Sequence, residues 1–192
     1  MTEEDNIGTS PIGLVRYVQV HAPATYTYDG NKVSKPQYSV TMIFDKKMQA
    51  TPAYKAMEKA VEGVITKAFG KRTPPGFVHP IKNCEDNVKA DGTLKPGFDV
   101  DGGTWMKFLS QYPIECLNPM GEVVKDVGEI EALFYPGCEA RVVYMLKAFP
   151  KGVSLFLLRI QKGKNGPRMG GGSLSAPPLE ALDIGEDDPM AD

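Results

Sequence analysis

The chain has 192 residues, 42% of them apolar and 24% charged, enough for one domain with a sizeable core plus tails. No apolar run is long enough to span a bilayer, no basic-then-apolar signal segment opens the chain, and three widely spaced cysteines (Cys84, Cys116, Cys138) imply no disulfide framework. The formal net charge of −2 hides a split: of 24 acidic residues, three stand at the start (Glu3, Glu4, Asp5) and six near the end, leaving 15 acids against 22 bases, or +7, for residues 6–179. A basic body with an acidic tail points to a polyanion-binding protein that carries its own competitor.

Residues 1–11 read as an acidic, disordered leader. Ile12 to His21 is rich in β-branched and aromatic residues and reads as a strand. Ala22 to Lys35 reads as a polar loop or hairpin dotted with Tyr26 and Tyr28, with Asp29-Gly30 as its turn; Ala24 to Tyr28 is a candidate for a short extra strand. Gln37 to Phe44 alternates, with Tyr38, Val40, Met42 and Phe44 on one face. Then the period changes. Thr51-Pro52 is a helix start, an N-cap followed by proline at the first helical position. Ala53, Met57, Ala60, Val61, Val64, Ile65 and Ala68 form one apolar stripe, and Gly70 is the stop.

Residues 73–103 are punctuated by Pro74-Pro75-Gly76, Asp91-Gly92, Pro96-Gly97 and Gly102-Gly103, with a short strand predicted near Phe77 to Ile81. A connection this long is expected to be a functional surface. Thr104 to Glu115 reads as a strand, interrupted or ended near Pro113, and residues 117–137 as an irregular connection. Cys138 to Phe149 and Gly152 to Lys162 read as two strands of a hairpin turning at Pro150-Lys151. The pattern predicts an all-β, OB-fold-like antiparallel five-stranded barrel with one packed α-helix and long loops, spanning residues 12–163. Residues 164–192 read as a Gly-rich linker (Gly170-Gly171-Gly172-Ser173) and an acidic tail.

Enzyme motifs are missing from the sequence. The two histidines, His21 and His79, belong to no ligand motif, and no cysteine pair has zinc spacing. Buried thiols are the simpler reading of the cysteines. The glycine run is followed by no helix pattern and no Lys-Ser/Thr, so it is not a phosphate cradle. Asp99 and Asp101, beside Gly97 and Gly102, read as a solvated turn before a metal site. No cofactor or metal is implied.

Single-stranded nucleic acid is held by cations that track phosphates and by flat side chains on which bases stack. Alternation places Trp105, Lys107 and Leu109 on one strand face, backed by Met106 and Phe108 on the other. A lone Trp is more often core than stacking platform, and Trp105, beside a lysine on its face, stands between the two. Arg141, Lys147 and Phe149 share a face opposite Val142, Tyr144, Leu146 and Ala148. Arg159 falls with Val153, Leu155 and Leu157, and Arg16 lies between Leu14 and Val18. Tyr38, Phe44, Tyr144 and Phe156 read as core; Lys46, Lys47, Lys162 and Lys164 read as solvated strand ends. The predicted nucleic-acid contacts are Arg16, Lys35, Lys107, Arg141, Lys147 and Arg159 for phosphates, and Tyr28, Trp105, Tyr112 and Phe149 for bases. Trp105 and Arg141 are expected to share one positive trough.

Phe134-Tyr135-Pro136-Gly137-Cys138-Glu139-Ala140-Arg141-Val142, the Ala148-Phe149 hairpin, Leu158-Arg159-Ile160-Gln161-Lys162 and Gly170-Gly171-Gly172-Ser173 succeed one another in an order that resembles a phage family of OB-fold single-stranded-DNA-binding proteins. The Lys35-Pro36-Gln37-Tyr38-Ser39 entry and the amphipathic helix fit the same family over roughly residues 11–173. The resemblance implies a protein that coats single strands in phage DNA replication and recombination, in the host cytoplasm. It also implies an acidic tail, here Glu180, Asp183, Glu186, Asp187, Asp188 and Asp192, that contacts replication and recombination proteins and competes with DNA. Related tails commonly finish on an aromatic residue, whereas this chain ends Pro189-Met190-Ala191-Asp192. Two other readings stand beside it: a protein-interaction or virion component that docks through its tail, and a metal-dependent nuclease using Asp99 and Asp101. Oligomeric state is left open.

Overall fold

The computed structural model describes residues 6–28 and 32–169. The acidic leader residues, the Asp29-Gly30 turn, the glycine run and all six tail acids lie outside them. Eleven strands and three helices succeed one another along the described chain. Strands β1 (Ile7–Thr9), β2 (Gly13–Ala24), β3 (Thr27–Tyr28), β4 (Lys32–Val33) and β5 (Gln37–Phe44) precede helices α1 (Lys46–Gln49) and α2 (Pro52–Phe69). Then come β6 (Lys82–Asn83), β7 (Thr104–Ser110), β8 (Glu115–Leu117), β9 (Val123–Val124), helix α3 (Val127–Leu133), β10 (Glu139–Phe149) and β11 (Gly152–Lys162).

Five of these strands close a barrel. β2 pairs antiparallel with β5 and β5 with β7; β7 runs parallel to β11; β11 pairs antiparallel with β10, and β10 returns to β2 through Glu139–Leu14 and Ala140–Gly13. This is the predicted OB-fold-like arrangement. Gly13 stands where a side chain would press on the Phe44 ring, so its bare backbone lets the closing strand approach. β3 and β4 form the small hairpin expected between β2 and β5.

The barrel interior is filled by one face of each strand: Val15 and Val20, then Val40, Met42 and Phe44, then Met106 and Phe108, then Val142, Tyr144 and Leu146, then Val153, Leu155, Leu157 and Ile160. Helix α2 begins at the Thr51 cap and ends at Gly70, as the spacing predicts. It packs Met57, Val61, Val64 and Ile65 against this core. Its stripe differs in detail. Tyr54 is buried, its ring 5.5 Å from Phe44 and its hydroxyl 2.7 Å from Thr104 Oγ1, whereas Ala53, Ala60 and Ala68 are exposed.

Several elements depart from the expectation. Part of the leader is ordered into the sheet, with β1 pairing along β10. Near Phe77 to Ile81 there is only a single bridge, Val78 to Gly152, and the strand β6 begins at Lys82. The Thr104–Glu115 strand, by contrast, is interrupted at residues 111–114, as expected near Pro113, giving β7 and β8. Residues 117–137 hold β9 and the helix α3, capped by Asp126. Lys162 is 3% exposed, not a solvated strand end; its Nζ donates to the Gly163 and Lys164 carbonyls and to Asn165 Oδ1. Residues 163–169 strap back over the barrel: Glu139 N donates to Lys164 O, Met169 N to Pro136 O, and Tyr135 Oη to Gly166 O. No helix among the described residues is long and apolar enough to cross a membrane.

All three cysteines are buried and free. Burial pushes the Cys84 and Cys116 thiols up to about 11, so few thiolates form at pH 8. Native protein at pH 8 is therefore expected to react slowly with a colorimetric disulfide reagent and to titrate three thiols once unfolded in guanidinium. Rapid titration of the native protein would contradict the burial.

Candidate nucleic-acid interface

The outer face of β2, β5 and β7 is where rings and cations meet. Strand β7 supplies Trp105, Lys107 and Leu109, because its alternation sends Met106 and Phe108 inward. Trp105 stands outside the barrel, its ring 4.9 Å from Lys82 Nζ and its Nε1 donating to Asn83 O at 3.2 Å. It lines a depression of about 180 Å³ with His79, Lys82, Lys107, Leu109 and Ser154. Lys107 Nζ lies 5.0 Å from the Tyr26 ring, and Tyr26 Oη shares a hydrogen bond with Ser39 Oγ at 3.2 Å. A second depression, of about 370 Å³, has Tyr17 and Tyr26 as walls, Gln19, Ser39 and Thr41 among its polar lining, and Lys107 between. The two share Lys107.

Strand β2 reaches this face through a bulge. Val15 pairs with Met42 and Tyr17 with Thr41, so Arg16 has no partner of its own on β5. Two successive residues, Arg16 and Tyr17, therefore both lie on the outer side, and Val18 and Val20 return to the interior. The expected grouping of Arg16 with Leu14 and Val18 holds for Leu14, which packs outside beside Ile43 and Phe98, and fails for Val18. Tyr17, which simple alternation would send inward with Val15, is instead 46% exposed. Arg16 is 6% exposed, with Nε and Nη2 both donating to the Pro96 carbonyl at 2.8 and 2.6 Å.

The long connection between β6 and β7 folds over the same face. Phe98 is buried against Ile43 and Cys84, with Leu14, Val100 and Trp105 packed around them. Its ring centroid is 6.0 Å from Tyr17 and 5.5 Å from Trp105. Tyr17, Phe98 and Trp105 thus form one aromatic row. The sequence does not single out Tyr17, Lys82 and Phe98 as site residues. A bulge leaves no composition signal, and Lys82 in β6 and Phe98 in the loop reach this face only when the connection folds back.

The other predicted residues scatter around the barrel. Lys147 pairs in register with Ser154, which lines the Trp105 depression, and its Nζ lies 5.9 Å from the Phe156 ring. Phe156 is not core; it is half-buried on the outer side, in register with Leu109. Phe149 is partly exposed at the β10–β11 turn, and Tyr112 is 79% exposed after β7. Lys35 is exposed just before β5. Tyr28 lies in β3.

Arg141 and Arg159 belong elsewhere. A bulge at Leu158 in β11 sets Val143 opposite Arg159 but Tyr144 opposite Leu157. This turns Arg159 outward, away from Val153, Leu155 and Leu157, and into an ion pair with Glu115. Arg141 Nε donates to Gln161 Oε1 at 2.8 Å. Arg141 lines two adjoining depressions, one with Thr9, Leu117 and Arg159, the other with Glu139, Lys162 and Lys164. Neither shares a lining residue with the Trp105 or Tyr17 depressions. The single trough expected to hold both Trp105 and Arg141 is therefore two separate basic zones.

Comparison with solved structures fits this geometry. The chain shares its fold with single-stranded-DNA-binding proteins of two bacteriophages. The protein of bacteriophage Enc34, solved in complex with ssDNA, superposes with a TM-score of 0.66 at 18% identity over 87% of this chain and 91% of that one. Its C-terminally truncated form gives 0.64 at 18% identity over 86% and 90%. Gp2.5, a single-stranded DNA binding protein encoded by bacteriophage T7, gives 0.51 at 16% identity over 84% and 93%. No protein-family model and no curated protein sequence matches the chain.

Burial first, and then the neighbouring Lys82 ammonium, hold the Lys107 ammonium below the usual lysine range. Neither lysine is ion-paired to a carboxylate among the described residues. A lysine whose folded pKa lies below its unfolded one binds fewer protons when folded, so its contribution to stability improves as pH rises through that interval. At neutral pH it is a cost. Lys82→Met is expected to move the Lys107 pKa upward in an NMR titration of the Cε signal, and Lys107→Met to raise the melting temperature slightly at pH 7. An unchanged titration would show that the two ammonium groups do not feel each other.

Proposed function

We propose that this protein binds single-stranded DNA with little sequence preference, without catalysing a reaction, in phage DNA replication and recombination in the host cytoplasm. The observation that carries the reading is the outer barrel face itself. Tyr17, Tyr26 and Trp105 alternate there with Lys82 and Lys107, and no described carboxylate is ion-paired to either lysine. Rings give bases a sequence-tolerant surface worth about 1–3 kcal/mol each, and ammonium groups between them match the phosphates. The shared fold with a protein solved on ssDNA supports the same reading. Lys147 and Phe149 on β10 extend the face toward the hairpin turn, and Lys35 and Tyr112 flank it. Arg141 and Arg159 form a second basic zone that a longer strand would reach by passing around the barrel.

The acidic tail completes the proposal. Glu180, Asp183, Glu186, Asp187, Asp188 and Asp192 imitate the ligand's charge, compete with DNA, and recruit replication or recombination proteins. A tether of about a dozen residues sets the tail's effective concentration near the body at roughly millimolar.

Three outcomes test this. Oligo-dT is expected to quench Trp105 fluorescence to a stoichiometric end point; with no quenching and no gel shift, the interaction-component reading takes its place. If about five phosphates are engaged, log K falls with log salt with a slope of roughly −3.5. Deleting residues 174–192 is expected to tighten binding, most at low salt. Equal low-salt affinity with and without the tail would remove the competitor role.

A further inference from the structure

Resting on the single-strand reading, we infer that Arg16 is a positioning residue: it locks residues 96–98 onto β2 so that Phe98 wedges Tyr17 and Trp105 into one fixed two-ring platform. It is not one of the cations that neutralise phosphates.

Three features of the molecule converge on this. The first is burial: at 6% exposure the Arg16 guanidinium has left solvent, and two of its N–H groups are spent on one carbonyl, Pro96 O. A buried cation persists only where its donors are satisfied, so pulling it out to a phosphate would strand that carbonyl. The second is the fit of the loop around it. Gly97 holds φ at +80°, and a Cβ there would run into the guanidinium. The loop backbone therefore lies against the Arg16 plane, which requires glycine. Arg16 Cζ also sits 5.1 Å from the Tyr17 ring, so the same plane braces the first ring of the row.

The third feature is the position of Phe98, one residue beyond Gly97. It is 1% exposed and touches both outer rings, tilted 35° to Tyr17 and 77° to Trp105. The lock and the wedge are thus adjacent in the chain. A side chain that fixes Pro96 fixes Phe98, and Phe98 fixes the spacing and tilt of the two rings. Stacking platforms work by being preorganised, since an aromatic ring that must be ordered on binding gives back part of the stacking energy.

The salt dependence of binding separates this role from a phosphate contact. Losing one stacked base lowers affinity roughly 5- to 100-fold without touching the count of neutralised phosphates. Losing one phosphate contact makes the log–log salt slope shallower by about 0.7. Full-length Arg16→Met, Arg16→Lys and Gly97→Ala are compared with Lys107→Gln for oligo-dT binding across salt. All three are expected to bind several-fold more weakly at an unchanged slope, while Lys107→Gln flattens it. Arg16→Lys is the decisive variant, because a lysine rescues a phosphate contact but cannot brace Tyr17 and reach Pro96 O with a planar fork. Wild-type affinity in Arg16→Lys, or a flattened slope in Arg16→Met, would overturn the inference.

Near-ultraviolet circular dichroism, recorded without oligonucleotide, reports the ring row alone. The aromatic band is expected to fall in Arg16→Met and Gly97→Ala while the far-ultraviolet spectrum is kept. Should Arg16→Met fail to fold, Gly97→Ala, which retains every charge, carries the same comparison. A wild-type protein that binds no oligo-dT sinks the single-strand reading. The band then decides the lock separately: its loss in the variants supports the lock, and its retention overturns it.

Discussion

Strand β2 has to pair with β10 at its first residues and with β5 along most of its length, and one straight strand cannot do both. It bends. Gly13 removes the side chain that would block Phe44 at the closure point, and the bulge at Arg16 adds the local turn. Tyr17 depends on that extra residue: without it the ring would face the core and lose its approach to Phe98. Trp105 and Lys107 reach the same face by plain alternation along β7, so the ring-bearing face joins one irregular strand to one regular one.

Regular elements are legible in the sequence because their signals are periodic. Thr51-Pro52, a run of apolar residues at helical spacing and Gly70 specify α2 almost to the residue. The alternation of Gln37 to Phe44, and of Trp105, Lys107 and Leu109 against Met106 and Phe108, specifies which residues of β5 and β7 share a side. The β10–β11 hairpin is implied by two strong strands around Pro150-Lys151. From these alone the barrel class and the shared face of Trp105 and Lys107 can be read; that this face is the outer one is settled by the fold.

Every break in period resists such reading. The bulges at Arg16 and Leu158 each shift the phase of a strand by one residue, so alternation groups Arg16 with Val18, sends Tyr17 inward and assigns Arg159 to the apolar side. Phe156 has apolar neighbours in sequence and so reads as core, yet it faces the outer side beside Leu109. Lys162 looks like any lysine at a strand end until the chain after it turns back and supplies three oxygens. Tyr17, Lys82 and Phe98 join a site only through tertiary approach, for which a linear pattern holds no signal. Charge totals count the basic residues, but they do not reveal that Arg159 pairs with Glu115 or that Arg141 and Trp105 line separate depressions.

The strap of residues 163–169 has one more effect. Its last hydrogen bond joins Met169 N to Pro136 O, and Pro136 borders the hollow walled by Tyr17 and Tyr26. Met169 is accordingly held at the lip of the ring-lined hollow, so a fluorophore or cross-linker attached at that residue would begin its search at the doorway and not at an arbitrary site on the molecular surface.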